Sequence, residues 1–361
     1  MFLDNLHYSG IRNLLPAKLE FSSTLNLFWG KNGAGKTSFL EAVHLLATGK
    51  SFRANAVQEY LSFNEESCLL SGIINTFNTN LPSVRLGIER FRDGTHTLRI
   101  AEEKCGSLAE FARVLAVQFM SGDSYRLFDE LPVRRRRFMD WGMFHVEHSF
   151  FSHWQRYHSA LKQRNRALKT FGKRVSEVKA WDEILIESGE SLHESRKRFI
   201  SRFFSIFEQR LPDFLNIGTP SIQYRKGWAK GEGLGKALEA SLFRDQALGY
   251  TTVGPHRADF EILLDEQPVK AILSRGQKKL LIAALYLVRA QWFSEEKGQR
   301  CVMLVDDLSA ELDTETSDAL FQGLIDLGGQ AFIAVVEGTP LLDRLRGGPY
   351  PMFHVEHGRI G

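Results

Sequence analysis

Cysteine is scarce. The 361 residues hold three, Cys68, Cys105 and Cys301, odd in number and far apart. That excludes a disulfide framework and any Cys-x-x-Cys metal site, and it points to a reducing compartment. Long apolar runs are missing too. The longest, Leu280 to Val288, falls well short of the roughly 20 residues a membrane-spanning helix needs. Asp4 and His7 interrupt the N-terminus, which does not read as a signal peptide. A cytoplasmic chain with no membrane partner is expected. Strong charge of either sign is also absent. A net charge of +3 permits nucleic-acid binding without arguing for it. Acids are missing locally, from Arg156 to Val175, where Arg156, Lys162, Arg164, Arg166, Lys169, Lys173 and Arg174 are all basic.

What is present reads as an α/β protein with a large insertion. Over residues 1–120, strand-like and helix-like stretches alternate. Leu25–Trp29 is an apolar strand-type run ending in glycine. Phe39, Leu40, Val43 and Leu46 then recur at helical spacing, with Gly49 as C-cap. Residues 68–100 alternate like strands around an Asp93-Gly94 hairpin turn. Residues 145–245 are rich in Lys, Arg, Glu, Phe and Gln, and long helices are expected. From 249 to 361 the α/β character returns, with a helix over Ala271–Ala290 and strands at Cys301–Val305 and Gln330–Val336. The expected organisation is a first lobe 1–145, a mostly helical arm 146–248 and a second lobe 249–361.

The chemistry centres on Gly30-Lys31-Asn32-Gly33-Ala34-Gly35-Lys36-Thr37, which fits G-x-x-x-x-G-K-[ST] in full between a strand and a helix. The glycines let backbone N–H groups turn inward around phosphate oxygens, and the helix N-terminus adds the positive end of its dipole. Lys36 is expected to reach the β- and γ-phosphates of ATP, and the Thr37 hydroxyl to hold Mg²⁺. Val302–Val305 is an apolar strand ending in Asp306 and Asp307. Beside a phosphate loop, Asp306 belongs on the Mg²⁺ shell and Asp307 next to the attacking water. Ser274, Gly276 and Gln277 open the helix beginning near Leu280. A hydroxyl, backbone N–H groups and a dipole suit an anion there, and Ser274 also suits a helix cap.

Leu273-Ser-Arg-Gly-Gln277 resembles the signature of the ABC ATPases. That resemblance implies an ATP site completed by the opposite subunit of a homodimer. Gln118, after Val114–Val117, is similar to the Q-loop glutamine, which implies a catalytic contact to Mg²⁺ and water. Ser309–Asp313 resembles the D-loop. Two features depart from the family pattern. Asp307 stands where many members have Glu, and Ala331–Glu337 carries no switch histidine. Slow, weak ATPase activity, DNA-dependent by resemblance, is therefore expected.

Most of the chain lies between Lys36 and Ser274, too much for the short insertion of a transport ATPase. Ile11-Arg-Asn13, Leu131-Pro-Val-Arg-Arg-Arg-Arg-Phe-Met-Asp-Trp141, Lys162-Gln-Arg-Asn165 and Gly254-Pro-His-Arg-Ala-Asp259 resemble stretches of the RecF family, an SMC-like DNA-repair branch of the ABC ATPases. The resemblance implies an ABC-type head, ATP-dependent dimerisation, binding to duplex DNA or single–double-strand junctions, and work with RecR and RecO to load recombinase at gaps. An ATP-binding recruitment factor with negligible turnover is the alternative. For DNA itself, the residues nominate Lys162, Arg164, Arg166 and Lys169 as phosphate contacts, against a merely solvated basic face. Arg134–Arg137 could serve likewise, or pair with acids inside the fold.

Met-Phe-His-Val-Glu-His occurs twice, at 143–148 and 352–357. Three readings stand. The His145/His148 and His354/His357 pairs could ligate a metal. The repeat could be coincidence. Or it could lie in the gene: ATG TTC CAC GTG GAA CAT encodes the hexapeptide, is a perfect inverted repeat, and resembles the palindrome bound by chromosome-partition ParB proteins.

Overall fold

A computed structural model of the chain describes residues 1–77, 82–129, 131–171, 174–215, 218–306 and 314–361. The chain opens with β1 (Phe2–Ser9), β2 (Ala17–Glu20), β3 (Leu25–Gly30), α1 (Lys36–Thr48), β4 (Ser67–Asn75), β5 (Val84–Phe91), β6 (His96–Ile100), β7 (Glu103–Lys104), α2 (Leu108–Val114) and β8 (Val117–Ser121). A helical stretch follows: α3 (Arg126–Asp129), α4 (Pro132–Val146), α5 (Phe150–Phe171), α6 (Val175–Lys179), α7 (Asp182–Arg210), β9 (Pro220–Arg225) and α8 (Leu234–Leu248). Next come β10 (Asp259–Leu264), β11 (Gln267–Pro268), α9 (Val269–Ile272), α10 (Arg275–Lys297), β12 (Val302–Asp306) and α11 (Thr314–Asp326). The chain closes with β13 (Ala331–Val336), α12 (Pro340–Leu345), β14 (Met352–Glu356) and β15 (Arg359–Ile360).

Two compact units result: Met1–Ser124 with Asp213–Leu215 and Arg275–Gly361, and Tyr125–Pro212 with Asn216–Ser274. The breaks read from the sequence at 145/146 and 248/249 fall inside the second unit, because α4 packs there against α7 and β10.

In the first unit, a sheet ordered β15-β14-β3-β13-β12-β8 has parallel pairing from β14 through β8. A second, antiparallel sheet is ordered β2-β1-β4-β5-β6-β7. Its β4 buries Cys68, Leu70 and Ile74 on one face, the period of two that a half-buried strand requires. α1 packs against strands of both sheets and is buried on almost every side, so its sequence is apolar well beyond one stripe. Phe39 stacks on Phe28 at 4.1 Å, and Phe28 on Phe353 of β14 at 4.7 Å. Each such buried ring contributes on the order of 1.5–3 kcal/mol. Gly49 closes the helix, its N–H donating to the Leu45 carbonyl at 2.8 Å.

The second unit is knit by buried arginines. Arg164 on α5 is fully buried and donates to Asp182 and Asp245, each at 2.8 Å, and to Thr251 at 2.9 Å. Arg196 on α7 grips Asp140 of α4 through two bonds and donates to the Pro255 carbonyl at 2.7 Å. Arg135 on α4 holds Asp259 at 2.7 Å, and Arg136 donates to the Ala258 carbonyl. The stretches 131–141 and 254–259 that stood out in the sequence thus meet inside this unit, and 162–165 is bonded to Thr251 just before the latter. Arg164 consequently leaves the nominated phosphate-contacting surface: a guanidinium with no exposed area and two carboxylate partners serves the fold. Among the described residues no helix is long and apolar enough to cross a membrane.

Beside this network His256 is held neutral. Its Nε2–H donates to the Thr251 carbonyl at 3.0 Å, and its Nδ1 accepts from the Tyr157 hydroxyl at 2.7 Å. Burial pushes its pKa from the ordinary 6.5 down to about 4. An unfolded chain therefore binds a proton that the folded chain refuses. The stability so contributed is complete above about pH 6.5 and declines as pH falls toward about 4, by up to about 3 kcal/mol. Urea unfolding followed at about pH 7.5 and about pH 5 should show this loss, and His256→Gln should narrow the difference between the two, the rest coming from the other histidines that burial holds neutral, His44, His158 and His193.

Candidate functional site

The glycine loop leaves the carboxyl end of β3, and Asp306 stands at the carboxyl end of β12, the edge where open α/β sheets bind ligands. β13 separates the two strands. The Thr37 hydroxyl nonetheless reaches across and donates to Asp306 Oδ1 at 3.0 Å. Lys36 Nζ donates to the carbonyls of Gly30 and Lys31 at 2.8 and 2.9 Å, so the loop curls around the ammonium. Gly35 caps α1 at φ 125, a conformation that side chains resist. A C-terminal turn braces the loop. Gly358 N–H donates to the Ala34 carbonyl at 2.8 Å, and a Cβ on Gly358 would stand 1.8 Å from the Asn13 carbonyl oxygen.

These residues border a cavity of about 560 Å³, within the roughly 300–1,000 Å³ range of small-molecule sites. Asn32, Gly33, Gly35, Lys36, Thr37 and Asp306, all nominated from the sequence, line it. So do Arg12, Asn13, Arg53 and Leu61, which the motif reading did not nominate. Of these, only Arg12 and Asn13 had left a trace in the sequence, the resemblance of Ile11-Arg12-Asn13 to a stretch of the RecF family. A buried carboxylate gathers them. Glu41 on α1 has no exposed area and accepts two bonds from Arg12, at 2.7 and 2.8 Å, and one from the Ser51 hydroxyl. Ser51 in turn accepts from the backbone N–H of Arg53 at 2.9 Å. Asn13 accepts from Ser38 at 2.9 Å. The cavity is thus cationic, walled by Lys36, Arg12 and Arg53, as a polyanion requires. A hydroxyl and a carboxylate 3.0 Å apart are hard oxygen donors of the kind Mg²⁺ takes beside phosphates, where one or two protein ligands suffice.

Other nominated residues lie elsewhere. Gln118 is corrected. α2 extends to Val114, so β8 starts only at Val117 and Gln118 is its second residue, not its last. In register it faces Met303, while Ser121 faces Asp306; at about 3.3 Å per residue that sets it about 10 Å short of the ligand edge. Its carboxamide accepts from buried Arg289 at 2.7 Å and donates to Cys301 Sγ at 3.2 Å. Burial pushes the Arg289 pKa down to about 10. Gln118 is therefore a core partner, not a metal or water contact. Ser274 and Gly276 are exposed and Gln277 is half-buried, just before and within the first turn of α10. Gly276 and Gln277 are not among the residues lining the cavity. Asp307 and the stretch Ser309–Asp313 fall outside the described residues. Lys162, Arg166 and Lys169 are exposed along one face of α5, with no ion pair among the described residues.

The two hexapeptide copies take opposite forms: 143–146 ends α4, whereas 352–356 is β14. Among the described residues no group of three or more His, Cys, Asp or Glu is gathered to hold a metal.

Residues 2–340 match the family described as RecF/RecN/SMC N terminal domain. The chain is similar to "DNA replication and repair protein RecF" of Pseudomonas aeruginosa, 39% identical, with 100% of this chain and 97% of that protein covered. A solved structure of the recombination mediator protein RecF with ATP in the RecFOR pathway superposes with a TM-score of 0.88 at 26% identity, covering 100% of this chain and 97% of the other. An Smc head from Pyrococcus furiosus, 14% identical, shares the fold at a TM-score of 0.60, with 99% and 95% covered.

Two substitutions separate the cavity from the core beneath it. Lys36→Ala should abolish binding of a triphosphate in calorimetry while leaving the melting temperature near that of the parent. Gln118→Ala should do the reverse, lowering stability by about 1–3 kcal/mol through the lost bond to buried Arg289, with triphosphate affinity retained.

Proposed function

This chain belongs to the RecF family of DNA replication and repair proteins, with an ABC-type ATPase head, and from that premise we propose that it is an ATP-dependent DNA-binding switch of gap repair. The observation that carries the reading is the Thr37–Asp306 bond at the mouth of a cationic glycine-loop cavity. Lys36 and the backbone N–H groups of Gly30–Thr37 hold the phosphates of ATP, and Arg12, Asn13 and Arg53 lie along the rest of the nucleotide. Thr37 and Asp306 would hold Mg²⁺, which when bound would supply positive charge to offset that of the phosphates. Asp307 orients the attacking water, and its short side chain keeps hydrolysis slow.

One subunit does not complete this site. Ser274 and Gly276, exposed at the start of α10, close over the nucleotide of a second copy in a two-fold dimer. Nucleotide occupancy and pairing are then one event. Lys162, Arg166 and Lys169 contact DNA phosphates in that state, at duplex or single–double-strand junctions, and RecR and RecO act alongside to load recombinase.

Light scattering with and without ATP and Mg²⁺ tests the pairing. The parent chain should double its mass on adding nucleotide, and Ser274→Arg should bind nucleotide yet stay monomeric. A Ser274→Arg chain that still pairs rules out the sandwich. For DNA, combined Lys162→Glu, Arg166→Glu and Lys169→Glu should weaken junction binding with ATP affinity unchanged. The slope of log affinity against log salt should flatten by about 0.9 for each phosphate no longer neutralised.

A further inference from the structure

The repeated hexapeptide finds no common cause in the protein. In the first copy Met143 is buried and Val146 half-buried; in the second Met352 is half-buried and Val355 is 1% exposed. Glu147 accepts from Ser195 at 2.6 Å and from Arg198 at 2.8 Å, whereas Glu356 is exposed. His145 lies 4.9 Å from Trp141 within its own helix, whereas His354 stacks at 4.2 Å on Trp29 of a neighbouring strand. A helix and a strand turn different members of a six-residue run inward, so no packing demand asks for the same six in both places. The identity also stops abruptly. Asp140-Trp141-Gly142 and Ser149-Phe150-Phe151 flank one copy; Pro349-Tyr350-Pro351 and Gly358-Arg359-Ile360 flank the other, with no residue shared at matching positions.

The genetic code supplies a cause. Paired from the ends inward, Met faces His, Phe faces Glu and His faces Val. Each pair has codons that are reverse complements: ATG with CAT, TTC with GAA, CAC with GTG. The hexapeptide is therefore one of the few that can be written as a perfect inverted repeat over all its codons. Only one synonymous spelling achieves it, because every pairing admits a single choice. The repeat also begins and ends where that symmetry does.

We propose that both copies are kept as DNA, each six-codon run being a binding site for a two-fold symmetric DNA-binding protein. A dimer of that symmetry places equivalent elements in the major groove of two half-sites close to one helical turn apart, and an inverted repeat of this length offers such half-sites. The gene then carries two sites for a regulator or organiser of the chromosome. The protein accommodates the peptide each site dictates, as a helix end in one place and a strand in the other.

Reading the gene is the first test. ATG TTC CAC GTG GAA CAT is expected at codons 143–148 and again at codons 352–357. Any synonymous change that breaks the dyad at either place overturns the proposal. Footprinting of the gene in growing cells is the second. Both runs should be protected, and protection should vanish in an allele recoded with synonymous codons. The encoded chain is identical in the two alleles, so the difference can only lie in the DNA. Absence of protection in the unaltered gene, or protection that survives recoding, overturns the proposal equally.

Discussion

The ATPase head depends on one buried carboxylate. α1 lies between two sheets and carries Glu41 into a place with no solvent. An ionised carboxylate left alone there would cost several kcal/mol, so it must be paired. Arg12 meets it in bidentate fashion from the loop after β1, and Ser51 meets it from the loop after α1. The same loops bring Asn13 and Arg53 to the cavity rim. A requirement of the core thereby positions the cations of the site, and the helix that bears Lys36 and Thr37 at its start cannot shift without breaking that pairing.

The inserted unit solves a similar problem three times over. Arg164 and Arg196 are drawn into the interior, Arg135 is half-buried, and each finds a carboxylate. These contacts join α4, α5 and α7 to the segment around residues 251–259. Motif-like stretches rich in arginine invite a nucleic-acid reading, yet here much of their charge is neutralised within the unit. What remains for phosphate is the face of α5 bearing Lys162, Arg166 and Lys169, one helical turn and then another apart.

Identical local sequence does not dictate identical structure, as the hexapeptide shows. Met143–Val146 continues α4, whose N-terminal start is set by Pro132 in its first turn. Met352–Glu356 instead lies beside β3, which offers parallel pairing to Met352, Phe353 and His354. Partners distant in the chain decide between the two.

The glycine loop, its flanking strand and helix, the Asp306 strand, the Asp93-Gly94 hairpin and the helical insertion were all legible in the residues, because each depends on backbone conformations and periodicities that neighbouring residues impose. Arg12 and Arg53 at the cavity, Arg164 in the interior and Gln118 in the core were not. Their places follow from strand register and from which buried charge lies opposite, and those are set by contacts between residues far apart in the chain. A strand starting a few residues later than its apolar run suggests moves Gln118 from the ligand edge into the core; nothing within its own neighbourhood in the sequence records the difference.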